Sequence, residues 1–346
     1  STKIQVEVDG KYNTNVFLLK SSKKNDVDSP TTAEEISGRY NDMGSSSDIV
    51  IKAQLKLSAS GPSPFGKKAK LGVNIEPRYY LQNTAASYVK LNFNAQQDTG
   101  NKGLLKLNLE FVPSRFKKNY LTDTLTTANV ADDERVYDAG VTTDTEVSLV
   151  YARKLSKDLD FEAGFGLTDR NYDSPFTGRD RSGWFIPIKL TYDLKKNMAL
   201  GLNYTYSNID NDVHSEVIIL DETLYGIDIN GNTSIDPDSR VIANIDRSFT
   251  SNEIGVFTKI KMANNAKLKL AYDLRFRSYS SAELYDESHN NRDDTRHKLS
   301  ALLSLGSVNF GIERTTQNSN KGTDATGSEE TSYARTILSI NYGYRF

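Results

Sequence analysis

Apolar and polar residues alternate along most of this chain with a period of two. In the first segment Ile4, Val6 and Val8 share one parity, while Gln5 and Glu7 share the other. Side chains two residues apart lie on the same face of a β-strand, whereas a helix repeats every three to four residues. The alternation therefore predicts strands that are apolar on one face and polar on the other.

Fourteen segments carry this pattern, and together they cover most of the chain. They span residues 4–18, 49–58, 70–76, 89–95, 105–113, 145–151, 159–167, 184–194, 198–206, 254–262, 268–276, 297–305, 308–312 and 334–346. Two of them contain a proline, at Pro113 and Pro187, and Pro77 directly follows a third. Because proline lacks an N–H for the strand ladder, we expect β-bulges at these positions, or strand ends that differ from the bounds given above.

The connections between these segments alternate between short and long. Short ones fall at 195–197, 263–266 and 306–307, and long ones at 21–47, 114–143, 170–183, 208–250, 280–294 and 315–332, with one short exception on the long side at 82–87. Transmembrane barrels have short periplasmic turns, long extracellular loops and an even strand number. We therefore predict an all-β fold: a transmembrane antiparallel β-barrel of about 14 strands, one domain over 1–346, with both termini periplasmic and the first strand paired with the last.

The composition agrees with a barrel and excludes several other classes of protein. The chain is 25% charged and 37% hydrophobic, and its mean hydropathy is -0.55. An aromatic content of 10% argues against disorder, and the lack of eighteen consecutive apolar residues excludes a helical membrane span. The net charge of -2 excludes a strongly basic nucleic-acid-binding protein. The absence of cysteine suits passage through an oxidising periplasm.

A soluble antiparallel sandwich or propeller would also alternate, but two features favour the membrane. The polar parity carries too many charges for a packed interior, whereas a water-filled lumen accepts them. Aromatic residues also collect at two levels of the apolar parity, as in the interfacial girdles of barrels. They are Tyr79, Trp184, Tyr204, Tyr206 and Phe276 toward the long connections, and Tyr151, Tyr192, Tyr342, Tyr344 and Phe346 toward the short turns.

The last strand ends in alternating aromatics, Tyr342, Tyr344 and the terminal Phe346. This ending resembles the assembly signal of bacterial outer-membrane β-barrel proteins, and the resemblance implies insertion by the outer-membrane assembly machinery. With fourteen strands the chain resembles the small monomeric porins, which implies a passive channel for small hydrophilic solutes and no enzymatic activity. The alternatives are a substrate-specific channel for acidic oligosaccharides or organic anions, and a structural or adhesive barrel with a blocked lumen. Outer-membrane lipid and lipopolysaccharide are the expected surroundings, because acidic external loops suit cation bridges to lipid phosphates.

The polar parity of each strand would line the lumen of such a barrel. Its charged residues are more often basic than acidic, so we expect a weak preference for anions unless charges on neighbouring strands pair and cancel. The candidate lining residues are Lys52, Lys56, Lys70, Arg78, Lys90, Lys106, Glu110, Glu146, Glu162, Lys189, Glu253, Lys259, Lys267, Lys269, Asp273, Arg275, Arg277, Lys298, Glu313 and Arg335. Four of them, Lys267, Lys269, Arg275 and Arg277, form a row of cations on one face of a single strand.

The longest connection, 208–250, is the candidate constriction of the lumen and contains a candidate metal site. Oxygen-bearing side chains recur there at every second position, at Asp228, Asn230, Asn232, Ser234 and Asp236. This spacing resembles the first part of an EF-hand calcium loop. The glycine at Gly231 lies two residues too early, and Ser239 stands where the bidentate glutamate belongs, so an Asn-Gly turn is the alternative. Apart from this candidate Ca²⁺, no cofactor is expected.

The three histidines offer weak support for catalysis. His214 and His289 lie beside acidic residues and serines in predicted loops, where acid–base pairs could form. His297 has the outward parity, and the chain has no Gly-x-Ser-x-Gly motif. No catalytic residue is therefore predicted.

Overall fold

The chain forms a closed antiparallel β-barrel of fourteen strands in the computed structural model. The structure describes residues 1–32, 40–63, 67–121, 137–211, 215–220, 226–227, 233–234, 240–282, 289–321 and 332–345. The predicted fold class and strand number are confirmed. Among the described helices, none is long and apolar enough to cross a membrane.

The strands follow one another around the barrel in chain order. The first nine are β1 (Thr2–Asn13), β2 (Asp48–Pro62), β3 (Lys68–Tyr80), β4 (Tyr88–Gly100), β5 (Gly103–Leu121), β6 (Tyr137–Lys154), β7 (Leu159–Tyr172), β8 (Arg181–Lys195) and β9 (Met198–Asp210). The longest connection holds two small ladders, β10 (Ser215–Leu220) with β13 (Arg240–Ile245) and β11 (Gly226–Ile227) with β12 (Thr233–Ser234). The barrel then continues with β14 (Phe249–Lys261), β15 (Lys267–Tyr279), β16 (Asp293–Leu305), β17 (Val308–Ser319) and β18 (Tyr333–Arg345).

Among the described residues, helical structure occurs in the connections and not in the barrel strands. One α-helix, α1 (Ser21–Asp28), lies between β1 and β2. Single 3-10 turns occur at Thr84–Ala86, Thr177–Arg179 and Ala263–Asn265.

The barrel is closed by pairing between β1 and β18. The register runs from Gln5 opposite Arg345 to Asn13 opposite Ile337. Lipid offers no hydrogen bonds to an unpaired strand edge, so closure is what allows a sheet to cross a membrane. The predicted pairing of the first strand with the last is confirmed.

The first strand is shorter than its alternation predicts. It ends at Asn13 and not at Leu18, because polar side chains take over the backbone hydrogen bonds. The Asn13 side chain accepts from the Asn15 N–H (3.0 Å), and the Asn15 amide bonds both the N–H and the C=O of Leu19. Leu18 has a positive φ of 58°, which a continuing strand would not allow.

The three prolines have different effects on the strands. At Pro113 the β5–β6 register shifts between Val112 and Arg115, as expected for a bulge. At Pro77 the pairing with β2 lapses between Ile75 and Arg78 and resumes in the same register. The lapse beside Pro187 likewise leaves the register of β7 and β8 intact. A bulge at Pro77 and Pro187 was therefore the wrong expectation, since losing one N–H donor does not require an extra residue.

The apolar parity forms the outer surface. Leu71, Leu167, Leu299 and Ile340 are each at least half exposed, and Trp184 stacks against Phe165 (6.2 Å between ring centroids). An apolar outer band with aromatic residues at its edges is the surface that barrels present to lipid. Tyr342 and Tyr344 belong to it, each 53% exposed, while Phe346 lies outside the described residues. Their role as an assembly signal stays a prediction.

Candidate functional site in the barrel lumen

The charged parity faces the inside of the barrel. Lys106 on β5 reaches Glu162 on β7 (3.1 Å) across the intervening β6, and Arg296 on β16 reaches Glu253 on β14 (2.6 Å) across β15. Side chains of alternate strands converge in this way only on the concave face of a curved sheet. All the predicted lining residues lie in barrel strands on this inner parity.

Many lining charges form pairs on the barrel wall. Ion pairs join Lys52 to Asp9 (3.1 Å), Lys56 to Glu7 (2.7 Å), Lys90 to Glu110 (2.6 Å), Lys189 to Glu162 (3.8 Å), Lys298 to Glu313 (3.4 Å), Arg335 to Glu313 (3.0 Å) and Arg78 to Glu76. Opposite charges that are close on the same face of a sheet, whether directly opposite, diagonal or on one strand, stabilise it modestly and neutralise one another's field. Much of the basic excess read from the sequence is therefore compensated.

The basic row of β15 divides into two parts. Arg275 donates to the side-chain oxygen of Gln317 (3.1 Å), and the Arg277 guanidinium lies over the Phe249 ring (4.1 Å). Both arginines are half-buried toward the long connections. Lys267 and Lys269 are exposed near the short turns. The row is thus not one uniform ladder of charge.

Four lysines near the short turns form a distinct group, here called the lysine cluster. Lys259 lies directly opposite Lys269, and Lys261 directly opposite Lys267, on β14 and β15. All four are exposed, and within the described part of the chain none forms an ion pair. Like charges directly opposite each other destabilise a strand pair. The cluster therefore has an unbalanced positive field.

One aromatic ring lies beneath the lysine cluster. Phe257 is 6% exposed, and the ammonium groups of Lys259 and Lys269 lie 5.2 and 5.5 Å from its centroid. Gly201 makes room for the ring, because a Cβ there would come within 2.0 Å of it. The acidic groups that act on Lys259 are Asp193 and Glu162, and Glu162 already pairs with Lys106 and Lys189. A cation–π contact holds two lysines in place without neutralising them.

The opposite end of the lumen is covered by connections that fold onto the inner face. Phe176, in the connection between β7 and β8, packs on inward-facing Tyr120 and Tyr172, 5.3 Å from the Tyr120 centroid. The Asn211 amide holds that connection by donating to the carbonyls of Gly178 and Asp180. In the candidate constriction 208–250, residues 212–214, 221–225, 228–232 and 235–239 lie outside the described residues, and the ladders β10–β13 and β11–β12 are described by their backbone. One described connection that reaches the inner face is 173–180.

A second covered region lies beneath the connection between β15 and β16. Arg292 and Asp294 form a bidentate ion pair (2.9 and 3.0 Å), with side chains only 3% and 1% exposed. The Arg292 guanidinium lies over Tyr279 (4.4 Å), and fully buried His289 packs on the same ring (5.2 Å). Short charge-assisted pairs of this kind hold a connection firmly on the wall.

The first long connection packs at the extracellular rim. Leu19 and Val27 form an apolar cluster with Phe116 of β5 and Ala86 of the short β3–β4 connection. Asp28 anchors the end of α1, because its carboxylate accepts from the N–H and hydroxyl of Ser46 (both 2.7 Å). Burial raises the pKa of Asp28, but these hydrogen bonds and the nearby Lys24 outweigh burial and lower it below its usual value.

The histidine and calcium hypotheses fall mainly on undescribed residues. His214 lies there, as do the acidic and serine neighbours of His289. His297 faces outward, and Nδ1 of its ring is hydrogen-bonded to the Tyr272 hydroxyl (2.8 Å). For the calcium candidates, Asp228, Asn230, Asn232 and Asp236 are undescribed, and Ser234 has only its backbone described, in β12. Elsewhere in the described chain no group of three or more His, Cys, Asp or Glu could hold a metal.

Sequence reasoning missed several charged groups of the inner face. Arg296 lies one residue before the predicted start of its strand. Asp144 forms ion pairs with Arg170 (2.7 Å) and Lys117 (3.2 Å). Each of these three residues lies just outside the predicted bounds of its own strand, β6, β7 and β5 respectively. The strands are longer than their apolar alternation, because above the lipid the outward face no longer needs to be apolar. Extending each predicted strand by parity alone would have found Arg296 and Asp144.

No family model and no curated protein matches the chain. Solved structures of similar fold include OmpTdeltaL8, a loop L8 deletion mutant of OmpT, an outer membrane protein of Vibrio cholerae, with 10% identity, a TM-score of 0.44 and 99% of each chain covered. The outer membrane channel DcaP of Acinetobacter baumannii has 12% identity and a TM-score of 0.43, over 99% of this chain and 96% of that one. Acinetobacter baumannii OccAB3 has 12% identity and a TM-score of 0.44 over both whole chains. By its own closed strand pairing and apolar outer face, the chain is a bacterial outer-membrane β-barrel.

Proposed function

We propose that the protein is a channel for passive diffusion of small hydrophilic solutes, with a weak preference for anions. Solutes would cross through the polar lumen, passing the covered extracellular end and then the exposed periplasmic end. No chemistry is required of the wall, only a hydrated path lined by charged side chains. The inner parity of the barrel strands supplies such a lining, with uncharged polar side chains on β9 and charged ones on its neighbours β8 and β14.

The observation that carries the anion preference is the lysine cluster. Most other basic residues of the wall have a carboxylate partner, whereas the four lysines face one another in the register of β14 and β15. Fixed charges along a low-dielectric wall raise the local concentration of counter-ions. Neighbouring lysines lie within about one Debye length at physiological salt, so their potentials add.

The test is single-channel conductance and reversal potential in planar bilayers under a KCl gradient. The wild-type protein is expected to conduct without ligand and to prefer chloride at low salt. That preference is expected to fade near molar salt, where the screening length falls to about 3 Å. The double variant K259Q/K269Q is expected to bring the reversal potential close to that of an unselective pore.

A matched control removes two lysines of the same charge from the periplasmic turns, as K102Q/K157Q. Lys102 and Lys157 lie in turns and not on the inner wall, so the reversal potential is expected to stay at its wild-type value. An unchanged reversal potential in K259Q/K269Q would remove the lysine cluster from the conducting path.

The second candidate function is a structural or adhesive barrel with an occluded lumen. It is favoured by the two connections that cover the inner face at Phe176 and His289. Absence of any conductance in correctly folded wild-type protein would support it. The third candidate, a substrate-specific channel for acidic oligosaccharides or organic anions, would conduct and then be blocked by its substrate at micromolar to millimolar concentration.

A further inference from the structure

One charged side chain interrupts the apolar outer face well inside a strand. Arg314 of β17 is exposed on the outward parity, between Ile312, which is 50% exposed, and Thr316. Its partner across the ladder, Leu299 on β16, is 60% exposed. Arginine on the lipid-facing surface of a barrel is costly unless it reaches the interface and an anionic partner.

The described residues satisfy only part of the hydrogen-bonding capacity of the Arg314 guanidinium. Arg314 donates to the Thr336 hydroxyl on β18 (2.8 Å), and within the described residues it forms no ion pair. A guanidinium carries five N–H donors in a planar fork that matches phosphate oxygens two at a time. Because the Thr336 hydroxyl accepts only one hydrogen bond from Arg314, the other N–H donors can bind a ligand outside the protein.

A second polar pair lies beside Arg314 on the same outer face. The Tyr272 hydroxyl and His297 Nδ1 are 2.8 Å apart, and both side chains point outward. His297 lies opposite Thr316, two register positions from the Leu299–Arg314 pair and on the same face, so it is a diagonal neighbour of Arg314. Because Nδ1 bonds the tyrosine, Nε2 is the ring nitrogen that faces a further partner. Two independent polar groups thus converge on one place in an apolar surface.

The level of this place along the barrel fits a lipid headgroup. His297 is four residues from the start of β16, and Arg314 is five residues from the end of β17, both toward the long connections. That end of a barrel faces the cell exterior. Toward the short turns the same face continues with apolar Ile312 and Leu338, which suits acyl chains.

We propose that Arg314, with Thr336, His297 and Tyr272, binds a phosphate group of lipopolysaccharide in the outer leaflet. The phosphate accepts hydrogen bonds from the guanidinium and from the histidine, while the acyl chains lie along Leu299, Ile312 and Leu338. The site is independent of conduction through the lumen, since it lies on the opposite face of the wall.

The test is lipid binding to the purified full-length protein in detergent micelles, measured by native mass spectrometry. The probes are bis-phosphorylated lipid A, the same lipid A after removal of both phosphates, and phosphatidylglycerol. The wild-type protein is expected to bind phosphorylated lipid A about tenfold or more tightly than Arg314→Gln does, in line with loss of a charge-assisted hydrogen bond. Dephosphorylated lipid A is expected to bind both proteins equally and weakly.

The matched control is Arg153→Gln. Arg153 is also an exposed arginine of outward parity, but it lies at the periplasmic end of β6. Its replacement is expected to leave lipid A binding unchanged, and Arg314→Lys is expected to retain part of the affinity because the charge remains. Equal lipid A binding by wild type and Arg314→Gln would overturn the proposal, as would tight binding of the dephosphorylated lipid. Binding of phosphatidylglycerol as tight as lipid A would overturn the choice of lipopolysaccharide.

Discussion

The two ends of the lumen use charge in opposite ways. At the extracellular end, Arg292 and Asp294 are almost fully buried and bonded to each other. At the periplasmic end, Lys259 and Lys269 are exposed and face each other, and neither forms an ion pair with a carboxylate of the described residues. Buried charges must be paired, because an isolated ion loses its hydration, whereas exposed charges keep water and stay available to solutes. Charges at the extracellular end of the barrel wall therefore stabilise the structure, whereas the lysines at the periplasmic end can act on solutes in the lumen.

Breaking the buried pair at the extracellular end is expected to have the largest effect. Asp294→Ala leaves the Arg292 guanidinium buried without its partner, and we expect a loss of about 3 kcal/mol in the free energy of unfolding. The measurement is urea unfolding of the protein in lipid vesicles. The control, Asp160→Ala, removes the exposed partner of Lys154 at the periplasmic end and is expected to cost under about 1 kcal/mol. Equal losses in the two variants would abolish the distinction between the ends.

The periplasmic end has one packed feature whose disturbance should rank second. Gly201→Ala places a Cβ within 2.0 Å of the buried Phe257 ring. We expect a loss of about 1 to 3 kcal/mol in unfolding free energy, because the ring must leave its place under the lysines. Gly61→Ala is the control, since nothing lies within 4 Å of a Cβ there. If Gly201→Ala were as stable as Gly61→Ala, the ring would not be fixed beneath the lysine cluster.

The two halves of the β15 basic row should differ in their effect on selectivity. Arg275 and Arg277 are engaged by Gln317, Phe249 and Tyr279, so R275Q/R277Q is expected to shift the reversal potential by about half or less of the shift in K259Q/K269Q. Both variants remove two positive charges. A larger shift in the arginine variant would place the selective field at the covered end of the lumen.

Acid should loosen the extracellular rim by a small amount through Asp28. Its pKa is lowered in the folded protein, so its contribution to stability is complete above the unfolded value and is lost as pH falls through the folded one. We expect faster amide exchange in the first long connection below about pH 4, the usual range of aspartate. In Asp28→Asn this acid-dependent step is expected to disappear. A pH profile shared by both proteins would assign the step to another group.

Strand parity and strand number could be predicted from the sequence because lipid imposes them directly. Most outward positions within the membrane are apolar, so the alternation from Ile4 to Tyr344 is visible without any knowledge of contacts. Ion pairs between side chains on different strands cannot be predicted in the same way. The bond from Lys106 to Glu162 depends on the relative stagger of three strands, and no pattern within one strand encodes it.

The covered end was not predictable for a further reason. The burial of Arg292 and His289 depends on a connection that folds back onto the wall, and connections carry no periodic signal. The lysine cluster was closer to prediction. Lys259, Lys267 and Lys269 were identified by parity, and only the direct opposition of Lys259 and Lys269 required the observed register of β14 and β15.

The seam between β1 and β18 has a consequence for the order of folding. Every other strand pairing of the barrel joins two barrel strands that are successive along the chain, whereas this one joins the first to the last, with Gln5 opposite Arg345. Loop-closure entropy rises by about 0.6 kcal/mol for each doubling of loop length, so the seam costs about 3 kcal/mol more than a short hairpin. Hairpins are therefore expected to zip first and the seam last. Until β1 and β18 pair, the sheet has two unpaired edge strands, and a chaperone that binds these edges would prevent edge-to-edge aggregation.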